Sequence, residues 1–166
     1  MEFLGPFHTQ IIHFPIALII LSLCFDVVGR ATDSAWWRKA SMALLVLAVF
    51  AGAAAVLSGE PASEVAEHRQ GIAESLVDKH GDMGKMAAWL AIGALVARLV
   101  ENGVVSGRRL IGGVALLLQV AAAITVGVAG HRGGMLVRNH GAGVSIDGRL
   151  IRAPGATPES EPRDSS

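Results

Sequence analysis

Cysteine and charge are both scarce in this chain. Its 166 residues include one cysteine, and only 17% of the residues are charged. The single cysteine, Cys24, cannot form an intramolecular disulfide, and the sequence has no Cys-x-x-Cys-His motif for covalent haem attachment and no cysteine pair for zinc or an iron–sulfur cluster. We therefore expect Cys24 to be an apolar packing residue.

An excess of charge of either sign is also missing. The chain has 14 Lys and Arg residues against 14 Asp and Glu residues, so its net charge is zero and no basic field attracts nucleic acid. The sequence contains no His-Glu-x-x-His motif, no phosphate-binding glycine loop and no recognisable nucleophile–base pair. An electron carrier or accessory subunit is therefore expected rather than an enzyme.

Apolar residues are abundant. Hydrophobic residues make up 52% of the chain, with 20 glycines besides, whereas soluble domains are roughly 45–50% apolar with glycine included. A helix of about 20 apolar residues crosses the hydrocarbon core of a bilayer. Four stretches approach that length, which predicts an all-α membrane protein whose four transmembrane helices form a bundle in the lipid bilayer; they are residues 11–28, 40–57, 86–105 and 110–129.

The third stretch is the weakest of the four, because charged residues interrupt it. Arg98 and Glu101 lie three residues apart near its end, where they either pair or extend to the interface. We expect no charge deep in a span, which argues against a proton relay for transport. Residues 1–29 contain no Lys or Arg, so we expect the first stretch to be retained as a span rather than cleaved as a signal peptide.

The loops differ in charge. The two short loops between the paired spans are basic and contain Arg30, Arg38, Lys39, Arg108 and Arg109, whereas the central loop, residues 60–85, is acidic overall. The positive-inside rule then places the short loops in the cytoplasm and both termini on the outer, periplasmic side of a bacterial inner membrane.

The six histidines all fall on that outer side by this span order. Two of them, His68 and His80, belong to the central loop, where Pro61, Val65 and Ile72 indicate an amphipathic outer helix. His13 precedes Pro15 by two residues. Either the first helix begins near Pro15, or it begins earlier and is kinked there; both alternatives place His13 near the interface.

A histidine-rich surface on a helical bundle is typical of cofactor or metal sites. Two histidines from different helices suffice for b-type haem. The expected haem ligands are His13 and His80, with His131 or His140 as substitutes. The alternative is a transition-metal ion, copper in particular, because thioether sulfur favours copper(I); its candidate ligands are His13, His68, His80, His140, Met83 and Met135. A third alternative is an accessory subunit without a cofactor.

A small β-hairpin is predicted after the last span. Asp147-Gly148 lies between two short alternating runs within residues 143–152, a pattern typical of a type I′ turn. Residues 153–166 are rich in Pro, Ser, Glu and Gly and are expected to be disordered. The membrane domain therefore covers residues 1–152.

Three motifs stand out along the chain: the run from His8 to Leu18, which contains His-Phe-Pro-Ile-Ala-Leu; His80-Gly-Asp-Met-Gly84; and the glycine-rich run from Gly130 to Val144. They resemble the signature of a family of bacterial four-span membrane proteins catalogued as a domain of unknown function, whose first motif has a proline where this chain has Thr9. The resemblance implies a four-span fold with signature histidines at His13, His80 and His140, and haem binding or a part in electron transfer. The expected partners are membrane or periplasmic redox proteins, in a homo- or hetero-oligomer.

Overall fold

The described part of the chain is almost entirely helical. The computed structural model describes residues 5, 7–103, 107–147 and 149–153. Its elements are the helices α1 (His8–Ile11), α2 (His13–Ala31), α3 (Ala35–Glu64), α4 (Glu74–Gly103) and α5 (Arg108–His140) and the strands β1 (Ser145–Ile146) and β2 (Arg149–Leu150). Residues 104–105 of the third predicted span, Gly148 of the predicted turn and residues 154–166 of the predicted disordered tail lie outside the described residues.

Four helical segments are long and apolar enough to cross a membrane, which confirms the predicted number of spans. They are His8–Ala31, Ala35–Arg69, Glu74–Gly103 and Arg108–His140. Each is longer than the roughly 20 residues that a bilayer requires. Large apolar side chains such as Phe50, Trp89 and Leu110 lie exposed on the outside, as expected of a surface that contacts lipid.

The helices form an up-and-down bundle. α2 packs against α3 and α4 against α5, while contacts of α3 with α4 and of α2 with α5 close the ring. Its core is formed mostly by small side chains, among them Ala48, Ala91, Ala94 and Ala122, packed with Ile19 and Leu45. Alanine lets helix backbones approach closely, and close packing holds helices together where lipid removes the hydrophobic driving force.

The first span begins before Pro15. Helix α1 ends at Ile11 and α2 begins at His13, but Ile12 between them keeps helical backbone angles (φ −62°, ψ −23°), so the two helices follow one another as one helical segment. Pro15, which is buried in the first turn of α2, has no N–H to donate to the carbonyl of Ile11. Of the two alternatives drawn from the sequence, the structure shows the earlier start.

The acidic segment between the second and third spans is helical, but it forms no separate helix. α3 continues into a π-helical turn, Val65–Arg69, and α4 begins at Glu74. Gly71 separates them with a positive φ of 69°, a conformation that glycine adopts without steric cost. The predicted outer helix therefore consists of the projecting ends of two long span helices.

The predicted C-terminal hairpin is present. Ser145 pairs with Leu150 and Ile146 with Arg149 in antiparallel register. The buried side chain of Gln70 holds the surrounding segment, because its Nε2 donates to the carbonyls of Gly141 (2.8 Å) and Ile151 (2.9 Å) and its Oε1 accepts from the Gly143 N–H (2.9 Å). The hairpin is thereby fastened to the turn between α3 and α4.

The two ends of the bundle differ in chemistry. The start of the first span, the α3–α4 turn and the end of α5 make up what we call the histidine end, and all six histidines lie there, as the span order predicts. The opposite end, which we call the arginine end, contains the α2–α3 turn, the last turns of α4 and the start of α5.

Candidate functional site

Two histidines face each other at the histidine end. The ring centroids of His8, on α1, and His80, on α4, lie 6.2 Å apart with an angle of 79° between the ring planes. Both side chains are half-buried. The two imidazoles come from different helices and are 72 positions apart in the sequence. Cofactor sites of helical bundles are likewise built from side chains on facing helices.

The proton of the His80 ring is assigned by its hydrogen bond. Nδ1 of His80 lies 3.0 Å from the carbonyl oxygen of Ala129 on α5. A carbonyl only accepts, so Nδ1 carries the hydrogen and Nε2 keeps its lone pair. Gly133, one turn beyond Ala129, makes room for the ring, because a Cβ atom on Gly133 would lie 2.8 Å from Cε1 of His80.

The ring of His8 likewise carries its hydrogen on Nδ1. Its Nδ1 lies 2.9 Å from Oγ of Ser58 on α3, and that hydroxyl donates its only hydrogen to the carbonyl of Ala55 at 3.0 Å. The oxygen of Ser58 is therefore the acceptor and Nδ1 of His8 the donor. The ring lies in ordinary contact distance of Gly59, where a Cβ would be 3.5 Å from Cε1.

Both Nε2 atoms are consequently available as electron-pair donors. The hydrogen bonds to Ser58 and to the Ala129 carbonyl are both made by Nδ1. Neutral imidazole nitrogen is a common ligand of haem iron and of transition metals. In metal sites the second ring nitrogen is usually held by a hydrogen bond to protein, as both Nδ1 atoms are here.

The described residues assemble no site of three or more His, Cys, Asp or Glu ligands. Among residues 5, 7–103, 107–147 and 149–153, no group of three or more His, Cys, Asp or Glu side chains is placed to hold a metal ion. The donor set is two imidazoles. Such a set fits a cofactor that supplies its own in-plane ligands better than it fits an ion that needs four protein ligands.

The other predicted ligands are spread over the histidine end. His13, His68 and His131 are exposed, as is Met135, whereas His140 and Met83 are half-buried. The imidazole that faces His80 belongs to His8, which was not among the residues chosen from the sequence. Its place as the first histidine of the opening motif is the signal that could have identified it.

A buried ionic network lies at the arginine end, contrary to the expectation that no charge lies deep in a span. Arg98 is 2% exposed and Asp26 is fully buried, and Nη1 of Arg98 donates to Oδ1 of Asp26. Nε of Arg30 donates to the other oxygen of Asp26 at 2.9 Å. The acidic residue inside an apolar run, Asp26, was the sequence signal for this network.

Glu101 completes the network. Its carboxylate accepts from Nη2 of Arg38 at 2.9 Å and from Nη2 of Arg30 at 3.2 Å, and Nη1 of Arg98 lies 3.7 Å from it. Arg98 and Glu101 therefore pair, which was one of the two expectations for them. The carboxylate lies so close to α5 that a Cβ atom on Gly112 would be 2.5 Å from Oε1 of Glu101.

A polar layer continues the network toward the bundle centre. Ser22 and Ser41 each donate a hydrogen bond to the other's carbonyl, at 2.9 and 2.8 Å, and Nε2 of Gln119 donates to Oγ of Ser22 at 3.0 Å. Ser22 lies one helical turn before Asp26. These hydrogen bonds link α2 to α3 and to α5. The neighbouring ionic network links α2 and α3 to α4.

Comparison with known proteins agrees with the fold. The chain shows no significant similarity to a curated protein or to a solved structure. A family model described as a predicted membrane protein, DUF2231, matches residues 5–146, which include all four spans and the β1 strand. The chain therefore belongs to this family of predicted integral membrane proteins of unknown function.

Proposed function

We propose that the chain binds one b-type haem at the histidine end, through Nε2 of His8 and Nε2 of His80, and serves as an electron carrier or as a subunit of a membrane redox complex. The observation that carries the proposal is the pair of facing imidazoles whose Nδ1 atoms are both hydrogen-bonded, which leaves the two Nε2 atoms as the ligand atoms. The proposal keeps His80 from the sequence prediction and replaces His13 with His8.

The distance between the rings supports a shared iron. Two imidazoles that hold one metal ion through nitrogen, at metal–nitrogen distances of about 2.0–2.1 Å, must have their rings close together. The observed separation of the His8 and His80 centroids is 6.2 Å.

Small residues beside the pair support a flat ligand. Gly84 lies one turn after His80 on the same face of α4, and a Cβ atom there would have no neighbour within 4 Å. The space at Gly59 and Gly133 is filled by the rings of His8 and His80 themselves, so the open position beside the pair is Gly84. A planar macrocycle needs such a gap between helices.

The chain's own groups would set the properties of the site. Ser58 and the Ala129 carbonyl hold the two rings in the tautomer that presents Nε2 and increase the basicity of that nitrogen. Haem bound there would supply one-electron redox chemistry. Because the histidine end lies at one end of the bundle, an electron would be exchanged with a redox protein at that membrane surface.

An absorption spectrum of the purified chain tests the proposal. The full chain is expressed with haem supplied, purified in a mild detergent and shown to be monodisperse by size exclusion. We expect a reduced-minus-oxidised spectrum with the α-band of b-type haem at one haem per chain. A folded, haem-supplied chain without that band would contradict the proposal.

Histidine variants identify the ligands. His8→Ala and His80→Ala should each abolish the haem band, whereas His68→Ala, at an exposed histidine, should leave it unchanged. His13→Ala separates the two ligand pairs, because it should retain the band if His8 is the ligand. Loss of the band in His13→Ala together with its retention in His8→Ala would refute the assignment of His8.

Copper binding is the second candidate. Met83 lies three residues after His80, on a neighbouring position of the same helix face, and is half-buried. Two imidazoles and a thioether suit copper(I). Stoichiometric copper in the purified chain, lost in Met83→Leu and accompanied by no haem band, would favour this candidate over haem.

A further inference from the structure

A basic cleft opens at the arginine end, remote from the histidine pair. It has a volume of about 430 Å³ and lies between the first turns of α3 and α5 and the last turns of α4. The residues that matter for its chemistry are Asp33, Ala35, Arg38, Lys39, Arg98 and Arg108.

The cleft is strongly cationic. Four basic side chains line it, against the single carboxylate of Asp33. Two of the four, Arg38 and Arg98, are held in place by Glu101 and Asp26. The other two, Lys39 and Arg108, are exposed and have no ion pair among the described residues. A set of two positioned guanidinium groups and two free cations is suited to an anion with several oxygens.

One buried donor of the cleft is unsatisfied. Arg98 is 2% exposed and donates through Nη1 and Nη2, but its Nε has no hydrogen-bond acceptor within the described part of the chain. Leaving a charged donor buried without a partner is costly. An acceptor oxygen in the cleft would satisfy it.

Two helices begin at the cleft and add to its positive potential. Ala35 is the first residue of α3 and Arg108 the first residue of α5, and both line the cleft. The first turn of a helix has N–H groups without an intrahelical acceptor and carries the positive end of the helix dipole. Such helix starts bind phosphate groups readily.

We propose that this cleft binds the phosphate group of an anionic phospholipid. A lipid source is favoured because the cleft lies at the end of a lipid-facing bundle, beside the exposed ring of Trp36 in the first turn of α3. Tryptophan is enriched at headgroup level, and basic pockets between membrane helices bind anionic headgroups. The phosphate oxygens accept hydrogen bonds from Arg98, Arg38, Lys39 and Arg108.

Lipid retention by the purified chain tests the proposal. The full chain is exchanged into neutral detergent micelles that contain either phosphatidylglycerol or phosphatidylcholine, and bound lipid is measured by native mass spectrometry together with the melting temperature. We expect one phosphatidylglycerol per chain, bound at least about tenfold more tightly than phosphatidylcholine.

Matched arginine variants locate the lipid. Arg108→Gln should weaken phosphatidylglycerol binding about fivefold, and Lys39→Gln/Arg108→Gln about 25-fold. Arg109→Gln is the control, because Arg109 is exposed and adjacent but does not line the cleft. None of these residues takes part in the buried ionic network, so the variants should fold.

Three outcomes would overturn the proposal. The first is equal retention of phosphatidylglycerol and phosphatidylcholine. The second is an equal loss of affinity in Arg108→Gln and Arg109→Gln, which would show diffuse attraction to the surface. The third is stabilisation by added inorganic phosphate but not by phosphatidylglycerol, which would assign the cleft to a free anion.

Discussion

Asp26 of α2 accepts a hydrogen bond from Arg98 of α4 across the interior of the bundle, and neither side chain is more than 2% exposed. The two residues are far apart in sequence, and the pair ties together the two helical hairpins. Arg30 pairs with both Asp26 and Glu101, and Arg38 pairs with Glu101, so that three guanidinium groups share two carboxylates.

Removing one partner of this pair should destabilise the bundle. Asp26→Ala leaves a buried guanidinium without its carboxylate, a change that typically costs about 3–5 kcal/mol in the free energy of unfolding. The double variant Asp26→Ala/Arg98→Leu should recover part of this loss because no uncompensated charge remains. Chemical unfolding in detergent measures the free energy of unfolding of the single and the double variant. Asp78→Ala, at an exposed carboxylate, is the control. A double variant less stable than Asp26→Ala would contradict the account.

Replacing either of two adjacent glycines of α5 by alanine should change the stability of the bundle in different ways. A Cβ on Gly112 would lie 2.5 Å from Oε1 of Glu101, whereas one on Gly113 would have no neighbour within 4 Å. Gly112→Ala should therefore lower stability by about 1–3 kcal/mol through overpacking, and Gly113→Ala should be neutral or raise it by up to about 1 kcal/mol through helix propensity. Melting temperatures of the two variants compare them directly; equal values would show that α5 is not packed on Glu101.

A second glycine pair tests the position of His80. Gly133→Ala would place a Cβ 2.8 Å from Cε1 of His80, while Gly134→Ala meets nothing within 4 Å. We expect Gly133→Ala to displace the imidazole and to reduce or abolish haem binding, and Gly134→Ala to bind haem as the native chain does. Haem titration followed by absorbance measures the affinity. Native affinity in Gly133→Ala would argue against His80 as a ligand.

The hydroxyl of Ser58 should matter for the His8 ligand. Ser58→Ala removes the acceptor of Nδ1, and loss of such an outer partner typically lowers metal affinity about 10–100-fold. Ser63→Ala is the matched control, because Ser63 also donates to a carbonyl three residues earlier, but at the surface. The same haem titration distinguishes them. Equal affinities of the two variants would show that Ser58 does not orient His8.

The four spans and the C-terminal hairpin were predictable because local patterns determine them. Apolar runs near 20 residues, as in residues 11–28, must be helical in lipid, where every backbone polar group needs an internal partner. Asp147-Gly148 between alternating runs marks a turn, and Asp147 has a positive φ of 51°. The gathering of the histidines at one end also followed from the span order alone.

Which side chains meet could not be read from those patterns. The early start of the first helix and the register of α3 against α1 bring His8, not His13, to Ser58 and His80. Gln70 lies in the predicted central loop, yet it is fully buried and holds the C-terminal segment. These contacts depend on helix rotation and on tertiary distances.

The amino-acid sequence by itself determined the membrane class of this protein, its four spans and the segregation of histidine from arginine, because hydrophobicity and charge act locally along the chain. Only the tertiary structure decided which histidines face each other, which charges are buried as partners and where a cationic cleft opens. The physical reason is that a helix fixes spacing along its own axis, whereas the packing of small residues between helices sets the rotation that brings distant side chains together.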